Sequence, residues 1–459
     1  MISNGQSSPI AAVTRPTHPF HTAFVVAMLI VSFPIKNLAY IAPLVYLAYQ
    51  ARRGDPRLIV RVSLVSLAAV LVSGLALLGV SYYGQVNVPG MFLAIFTYLP
   101  LIIALCHPPV PDLSEGDIER LQTACAWFVI IQSAIGVLQF GISGNPDTVC
   151  GTFGLFDFRE ENITISQVYL TFTLFSLILF MFLDARRRLV QVAICVGLLT
   201  CVLAQSGHQT IFFVATLGAA GLSRVTQPKI AAASFALVVV MALLVDLMYP
   251  ETRMLAVEWS EKVLDANSPK GMVVESGLEL MGDPATLVFG TGLGQYSSRA
   301  ALISSNEYLS TRLPDVFAGK SSYFAQHVEP ANELFALYGE GSALSKPYFS
   351  LLSICVETGL LGSLLLGGAV VVQMFRNLRL MRCQHPWASL CGLLANAGIV
   401  FFVLCCAVEN YAEFAQAIFL PALLYVAATS WAETLTESQE RCPPRTAAAL
   451  PGPSMKAVP

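Results

Sequence analysis

The sequence predicts an all-α, polytopic integral membrane protein with about 12 transmembrane helices (11–12) and one large, mostly helical outer loop. Of its 459 residues, 55% are hydrophobic and only 12% are charged, whereas soluble domains contain about 25% charged residues. Apolar runs of about 20 residues, the length that crosses ~30 Å of hydrocarbon, recur along the chain. A single long polar connection, residues 249–346, separates the last three of these runs from the others.

Eight of the predicted spans come from long apolar runs: 58–80, 89–106, 121–141, 163–183, 229–248, 347–374, 388–408 and 412–430. Residues 188–204 and 209–223 form a shorter pair, split by the sequence SGHQ. The opening run 18–50 is broken at Pro34, because proline interrupts a helix, and it is predicted to make two short crossings. Since no small-residue cleavage site follows it, the first helix is expected to remain in the protein.

Basic residues fall on alternate short connections, which predicts the orientation of the chain, because Lys and Arg accumulate on the cytoplasmic side. The basic connections contain Arg52, Arg53, Arg57, Arg61, Arg120, Arg186, Arg187, Arg188, Arg224, Lys229, Arg376, Arg379 and Arg382. Both termini are therefore expected in the cytoplasm of a bacterium, with the protein in the inner membrane. The long connection is then periplasmic.

The chain is expected to divide into four parts. Residues 1–248 form an N-terminal transmembrane bundle of about nine helices, 249–346 the periplasmic loop, 347–430 the C-terminal helices and 431–459 a disordered, Pro-rich cytoplasmic tail. The loop is too long for a passive linker and is the expected seat of function. Its segments VEWSEKVLD and GLELM have the spacing of short amphipathic helices, which predicts a helical cap.

The stretch GTGLGQY, residues 290–296, contains Gly290, Gly292 and Gly294. Glycines let successive backbone N–H groups form an anion-binding nest, so a phosphate cradle is one interpretation. The spacing differs from the dinucleotide-binding fingerprint, and a flexible turn is the other interpretation. The sequence favours the turn.

The loop also contains candidate cations and a histidine. Arg253, Arg299 and Arg312 offer guanidinium groups that suit a diphosphate, although surface salt bridges are the alternative. His327 is the histidine of this loop and can shuttle a proton near neutral pH, whereas a solvated histidine is the plainer interpretation. His208 lies at the break between two short spans, where polar residues tend to line a cavity.

Glu357 lies within the apolar run 347–374, shortly before Gly359 and Gly362. An ionisable group in a span costs ~2.5 kcal/mol or more and is usually retained for a site or a partner. The two glycines would let another backbone approach closely. Glu357 is therefore a candidate base, with a helix-packing role as the equal alternative.

Several classes of function have no support in the sequence. The chain has no zinc-binding spacing, no nucleotide-binding loop and no serine-hydrolase motif, so no metal and no cofactor is expected. The net charge of -3 does not favour nucleic-acid binding.

Four motifs in order resemble the O-antigen ligase and Wzy-type O-antigen polymerase family of bacterial envelope polysaccharide synthesis. They are CGTFG (150–154), SGHQT (206–210), FGTGLGQY (289–296) and, after the large loop, the sequence from Tyr348 that contains Glu357, Gly359 and Gly362. The family has an arginine where this chain has Gln209 and a histidine where it has Tyr348. The resemblance covers roughly residues 150–365.

The resemblance implies a fold similar to GT-C-type membrane glycosyltransferases and a metal-independent glycosyl transfer. The donor would be an oligosaccharide linked to undecaprenyl diphosphate, and the acceptor another repeat unit. Arg299 and Arg312 would bind the diphosphate, with Arg253 and Lys346 in reserve, and His327, Glu357 or His208 would act in catalysis. Membrane lipids, a chain-length regulator and a flippase would be its partners.

Three alternatives stay open. An O-antigen ligase would join the glycan to a lipid core or a protein instead of extending it. A peptidoglycan-type glycosyltransferase would need an aspartate in the loop, for which Asp315 is the candidate. A flippase would move the lipid-linked unit without bond chemistry and should place charges along several spans, whereas this chain concentrates them in one loop.

Overall fold

The computed structural model describes most of the chain in helical form. It describes residues 20–31, 34, 38–52, 56–80, 84–110, 113–153, 163–181, 187–204, 207–222, single positions at 232, 236, 239 and 243, and then 255–307, 313–338 and 349–441. All regular elements in these ranges are helices. The predicted all-α class is therefore confirmed.

The N-terminal half contributes eight helices to the bundle. They are α1 (Phe20–Val31), α2 (Leu38–Arg52), α3 (Arg57–Val80), α4 (Val88–Cys106), α5 (Glu115–Ser143), α6 (Ile163–Ser176), α7 (Arg188–Leu203) and α8 (Gly207–Leu222). The opening apolar run forms two helices, α1 and α2, on either side of the predicted break at Pro34, and α7 and α8 form the predicted shorter pair.

The long connection forms a cap of short helices, as predicted, and three long helices follow it. The cap helices are α9 (Leu255–Leu264), α10 (Pro269–Leu280), α11 (Pro284–Phe289), α12 (Arg299–Ser304) and α13 (Glu329–Tyr338). The C-terminal helices are α14 (Ser350–Met381), α15 (Pro386–Cys406) and α16 (Ala415–Arg441). A small core centred on Val273, Tyr296 and Phe324 holds the cap together and reaches α14 through Val356.

Six of these helices are long and apolar enough to cross a membrane: Arg57–Leu78, Val88–Cys106, Glu115–Ser143, Ser350–Met381, Pro386–Cys406 and Ala417–Ser438. Three shorter apolar helices accompany them, Phe20–Val31, Tyr169–Met181 and Arg188–Leu203. The prediction of a membrane protein is thus supported, but the count of 12 spans is not confirmed. The predicted span 229–248 lies almost entirely outside the described residues.

The middle of the bundle is occupied by α6 and the π-helical turn that follows it, Leu177–Met181. From Tyr169 to Met181 every side chain is buried, including the hydroxyl-bearing Thr171, Thr173 and Ser176. The other helices pack around this segment.

The described arginines of the bundle lie at the end opposite the cap. Helix α4 begins beside the cap and ends at Cys106, whose carbonyl accepts a hydrogen bond from Arg61 at 3.3 Å. Helix α14 also begins at the cap, and near its far end Arg376 forms a two-bonded ion pair with Glu433. This distribution agrees with the predicted alternation of basic connections, although the assignment of that end to the cytoplasm stays a prediction.

The C-terminal boundary requires a correction. Helix α16 continues past the predicted start of the disordered tail, residue 431, to Arg441. The Arg376 pair with Glu433 and the packing of Trp431 against Trp387, with ring centroids 6.3 Å apart, hold this extension. The helix can therefore include the charged residue Glu433, because its partner Arg376 lies on the neighbouring helix α14.

A buried junction between the cap and the bundle

Helix α14 is broken shortly after it enters the bundle. Gly359 adopts φ 62° and ψ −167°, a backbone region that is essentially restricted to glycine. The break frees two carbonyl groups, which accept N–H groups from the cap: Thr291 donates to Val356 and Gly292 to Glu357, both at 2.9 Å. The cap is thereby hydrogen-bonded to the interior of a helix that is long and apolar enough to span a membrane.

Gly359 is required by a second constraint, the close approach of another backbone. A Cβ at Gly359 would lie 2.5 Å from the Gly290 nitrogen and 2.6 Å from the Val288 carbonyl oxygen. Another backbone thus approaches Gly359 closely, as predicted. At Gly362 the three atoms nearest to an added Cβ all belong to the Thr358 side chain of the same helix, the first at 2.3 Å, so its role in packing stays a prediction.

Residues 290–298, here called the glycine turn, wrap around the carboxylate of Glu357. The Gly294 N–H donates to Oε2 at 2.7 Å, and the Tyr296 and Ser298 N–H groups donate to Oε1 at 3.0 and 3.2 Å. The turn is therefore an anion-binding nest, but the anion is a side chain of the protein. This corrects both interpretations of GTGLGQY: it is neither a phosphate cradle nor an unanchored turn.

The nest also defines the position of Glu357. Its side chain is completely buried and its two oxygens together accept three backbone N–H groups. That arrangement fits the packing role, which the sequence left as the equal alternative to a base. The glycine turn is also held at the start of α4 by Asn87. The Asn87 N–H donates to Oε1 of Gln295, and Nε2 of Gln295 donates to the Asn87 carbonyl, both at 2.8 Å.

Residues 408–414, all but the first residue of the connection between α15 and α16, complete the junction and are here called the connector. All seven residues are buried, whereas loops normally run over the surface. It contains a 3-10 turn, Tyr411–Glu413. Ser350 at the start of α14 holds it twice: its N–H donates to the Glu409 carbonyl at 3.2 Å, and its hydroxyl accepts the Ala412 N–H at 3.0 Å.

The junction gathers the buried charges of the protein. Among the residues with described side chains, every buried Asp, Glu, Lys or Arg except Asp117 lies here. The five members are Lys270, Arg299, Glu357, Glu409 and Glu413. Each buried ion costs several kcal/mol of desolvation, which only good partners offset, so such a concentration in one place indicates a site.

Two of these residues, Arg299 and Glu413, meet across the junction. The Arg299 N–H donates to Oε2 of Glu413 at 2.5 Å, and the Arg299 guanidinium lies over the Phe414 ring, 3.7 Å from its centroid. Lys270 approaches the same connector, where its ammonium donates to the Val408 carbonyl at 2.7 Å. Arg299 is thus the predicted diphosphate-binding residue that the structure places within this cluster.

Gln209, which stands where the family that the chain resembles has an arginine, also reaches the connector. Its Nε2 donates to the hydroxyls of Thr171 and Tyr411, both at 2.6 Å. An amide suits these two neutral hydroxyls, and the position is completely buried. His208, one residue earlier, is half-buried and packs edge-on against Phe212, with ring centroids 6.2 Å apart.

His327 lies in the cap, in the π-helical turn Phe324–Val328. Burial lowers the pKa of its imidazole, while Glu279 acts in the opposite direction. Among the described residues no hydrogen bond or ion pair joins His327 to Arg299 or Glu413. The structure therefore does not bring this predicted base into the junction.

Other predicted residues fall elsewhere. Arg253, Arg312, Lys346 and Tyr348 lie outside the described residues. Asp315 begins an exposed 3-10 turn of the cap. The described part of the CGTFG motif is a turn held by α5, where the Gln139 side chain accepts the N–H groups of Cys150 and Gly151.

A cavity of about 380 Å³ lies between α4, α14, α15 and α16. Its walls are almost wholly apolar, and its lining reaches the junction at Leu351, Cys406 and Ala412. Gly367 lines its far part, and a Cβ at this glycine would meet nothing within 4 Å. A hydrocarbon chain is the ligand that such an apolar cavity suits.

Comparison with known proteins identifies no relative: no family model, no curated protein and no solved structure matches the chain. Fold and site define an all-helical protein with apolar helices long enough to span a membrane and a buried charged junction under a helical cap. The resemblance to the O-antigen ligase and polymerase family stays a prediction from four short motifs.

Sequence reasoning missed three members of the junction, Lys270, Glu409 and Glu413. A signal was present, because the stretch ENYAE, residues 409–413, carries two carboxylates between two apolar runs. Carboxylates at such a position are costly unless they are paired. Lys270 offers no comparable signal, since its burial follows only from the docking of α10 on the connector.

Proposed function

We propose that the protein is a polysaccharide polymerase, which transfers a glycan from an undecaprenyl-diphosphate-linked donor to an acceptor repeat unit at the periplasmic face of the inner membrane. The observation that carries the proposal is the gathering of buried charges, Arg299 among them, beside a cavity that suits a hydrocarbon chain. A lipid diphosphate has the matching chemistry, an anionic head on an apolar chain.

In this reaction Arg299 stabilises the diphosphate as the bond to the anomeric carbon breaks. A guanidinium retains its charge at all relevant pH values and binds phosphate oxygens in pairs. Stacking on Phe414 holds it in a low-dielectric environment, where its charge acts more strongly on a developing anion than in water. The reaction needs neither a metal nor a nucleotide, in agreement with the missing motifs.

The first test concerns the lipid chain. Gly367→Phe should weaken the binding of undecaprenyl diphosphate to the purified full-length protein by about tenfold or more, because a ring in the cavity displaces at least two methylenes at ~0.8 kcal/mol each. Gly368→Phe is the matched control: a Cβ there also meets nothing within 4 Å, but the residue does not line the cavity. Native mass spectrometry measures both.

Equal binding by the two variants and the wild type would remove the cavity from the proposal. Undecaprenol, which lacks the diphosphate, serves as a second probe. It should bind more weakly than undecaprenyl diphosphate to the wild-type protein, and this difference should shrink in Arg299→Ala.

The second test concerns activity in the bacterium. Deletion of the gene should remove the ladder of polymerised surface glycan on a gel, and Arg299→Ala should restore it about 100-fold less well than the wild type. The substitution keeps the backbone N–H that binds Glu413, and Arg299→Lys keeps the charge without the paired donors. Arg120→Ala is the control, because that side chain is 71% exposed at the end of the bundle opposite the cap.

Three results would contradict the proposal that the protein polymerises glycan with Arg299 at the diphosphate. Wild-type ladders from Arg299→Ala would exclude its role at the diphosphate. Lipid-linked polymer of normal length in the deletion strain would indicate ligation instead. Single lipid-linked units that stay inaccessible from the periplasm would indicate a flippase.

A further inference from the structure

Two buried polar groups of the junction face each other, Glu413 from the connector and Tyr98 from α4. Oε2 of Glu413 accepts the Arg299 N–H, whereas its Oε1 forms no hydrogen bond within the described ranges. The Tyr98 hydroxyl lies within reach of the Glu413 carboxylate, but it makes no hydrogen bond of regular geometry with it or with any other described group. Both atoms are inaccessible to solvent.

Such groups are rarely left without partners, because an unmade buried hydrogen bond costs about 1–3 kcal/mol. The pair consists of one donor, the tyrosine O–H, and one acceptor, the carboxylate oxygen. A ligand hydroxyl satisfies both at once, since it accepts from tyrosine and donates to carboxylate. The flanking residues Cys406 and Ala412 line the apolar cavity, so the pair lies beside the place where the proposed donor is bound.

Building on the function proposed above, we propose that Tyr98 and Glu413 bind the hydroxyl of the acceptor sugar and that Glu413 takes its proton. As the hydroxyl oxygen forms its bond to the anomeric carbon of the donor, the bond from that carbon to the diphosphate oxygen breaks. The electron pair leaves with the lipid diphosphate, and the proton passes to Oε1 of Glu413. No further reactant is needed.

Glu413 fits this role better than Glu357. The two oxygens of Glu357 accept three backbone N–H groups, so proton uptake there would disrupt the nest. Glu413 has one oxygen bound and one available. The distinction follows from hydrogen-bond geometry and not from sequence, in which Glu357 is the more conspicuous residue.

The rate should depend on pH through Glu413. The charged and titratable groups that act on it are Arg299 at the start of α12, Glu357 from α14, Tyr98 from α4 and Cys406 from α15. Burial, and after it the Glu357 carboxylate, raise the pKa of Glu413 above its ordinary value. Because a base must be deprotonated, the rate should rise with pH through a range above that of an ordinary carboxyl group.

The test uses the full-length protein in proteoliposomes, with lipid-linked oligosaccharide extracted from the deletion strain as donor and acceptor. Glu413→Gln should lower kcat at least about 100-fold and abolish its rise with pH, while KM and undecaprenyl diphosphate binding change less than about threefold. Tyr98→Phe should lower the rate about tenfold, and Glu413→Asp should recover part of the loss. Glu333→Gln, on an exposed face of α13, is the control.

The outcomes separate this inference from the proposed function. A wild-type protein that neither binds undecaprenyl diphosphate nor extends glycan overturns both. An active wild type together with an active Glu413→Gln overturns the inference alone and indicates that a water molecule bridges the pair. Glu413→Gln could also lose rate in parallel with thermal stability while it keeps the wild-type pH profile. That result would show Glu413 to be structural and would likewise overturn the inference.

Discussion

Glu357→Ala should lower the free energy of unfolding by at least about 3 kcal/mol, because three buried backbone N–H groups lose their acceptor and each costs about 1–3 kcal/mol. The groups belong to Gly294, Tyr296 and Ser298, and they are enclosed between the cap and α14. Thermal unfolding of the purified protein in detergent measures the change. The cap should also become sensitive to proteases, since the nest joins it to the bundle.

Glu357→Gln separates an anchor from a base. Its remaining oxygen can accept from Tyr296 and Ser298, while its NH₂ group faces the Gly294 N–H, so we expect a smaller loss of stability than with alanine. Glu333→Ala removes an exposed glutamate of the cap and should change stability by less than about 0.5 kcal/mol. A fully stable Glu357→Ala protein would show that the nest does not hold the junction.

Gly359→Ala should have an effect of similar size, about 3 kcal/mol or more. Alanine at φ 62° and ψ −167° costs about 1–3 kcal/mol in backbone strain, and its Cβ would lie 2.5 Å from the Gly290 nitrogen. Either α14 straightens and loses its hydrogen bonds to the cap, or the glycine turn moves away. The melting temperature in detergent should fall accordingly.

Gly368→Ala provides a control within the same helix. A Cβ there meets nothing within 4 Å, and the residue lies beyond the break, so the substitution should change stability by less than about 1 kcal/mol. If Gly359→Ala were as stable as Gly368→Ala, the break in α14 would not depend on glycine.

The membrane class follows from composition and from the length of the apolar runs, because hydrocarbon selects for both whatever the tertiary arrangement. For the same reason the sequence predicted the division of the opening run into α1 and α2 and the pair α7 and α8. The cap helices were predictable from local spacing. The sequence predicted too early an end for the last helix, because the charged end of this helix is stabilised by Arg376, which lies far away in sequence.

The sequence also indicated Glu357, Gly359 and the glycine turn as important, since a carboxylate and a glycine pair in an apolar run are conspicuous. It could not reveal that these features bind each other. Hydrogen bonds between Glu357 and residues 294–298 depend on the docking of the cap into the break of α14, and no local pattern encodes that distance.

By itself, then, the sequence determined an all-helical protein of membrane composition, its cap and the residue types that a charged site requires. The tertiary structure alone decided which of them meet: Arg299 with Glu413 at the connector, and Glu357 with the glycine turn. The physical reason is that composition and periodicity show which segments are apolar and which are polar. The partner of a buried charge, in contrast, is set by packing between segments that are distant along the chain.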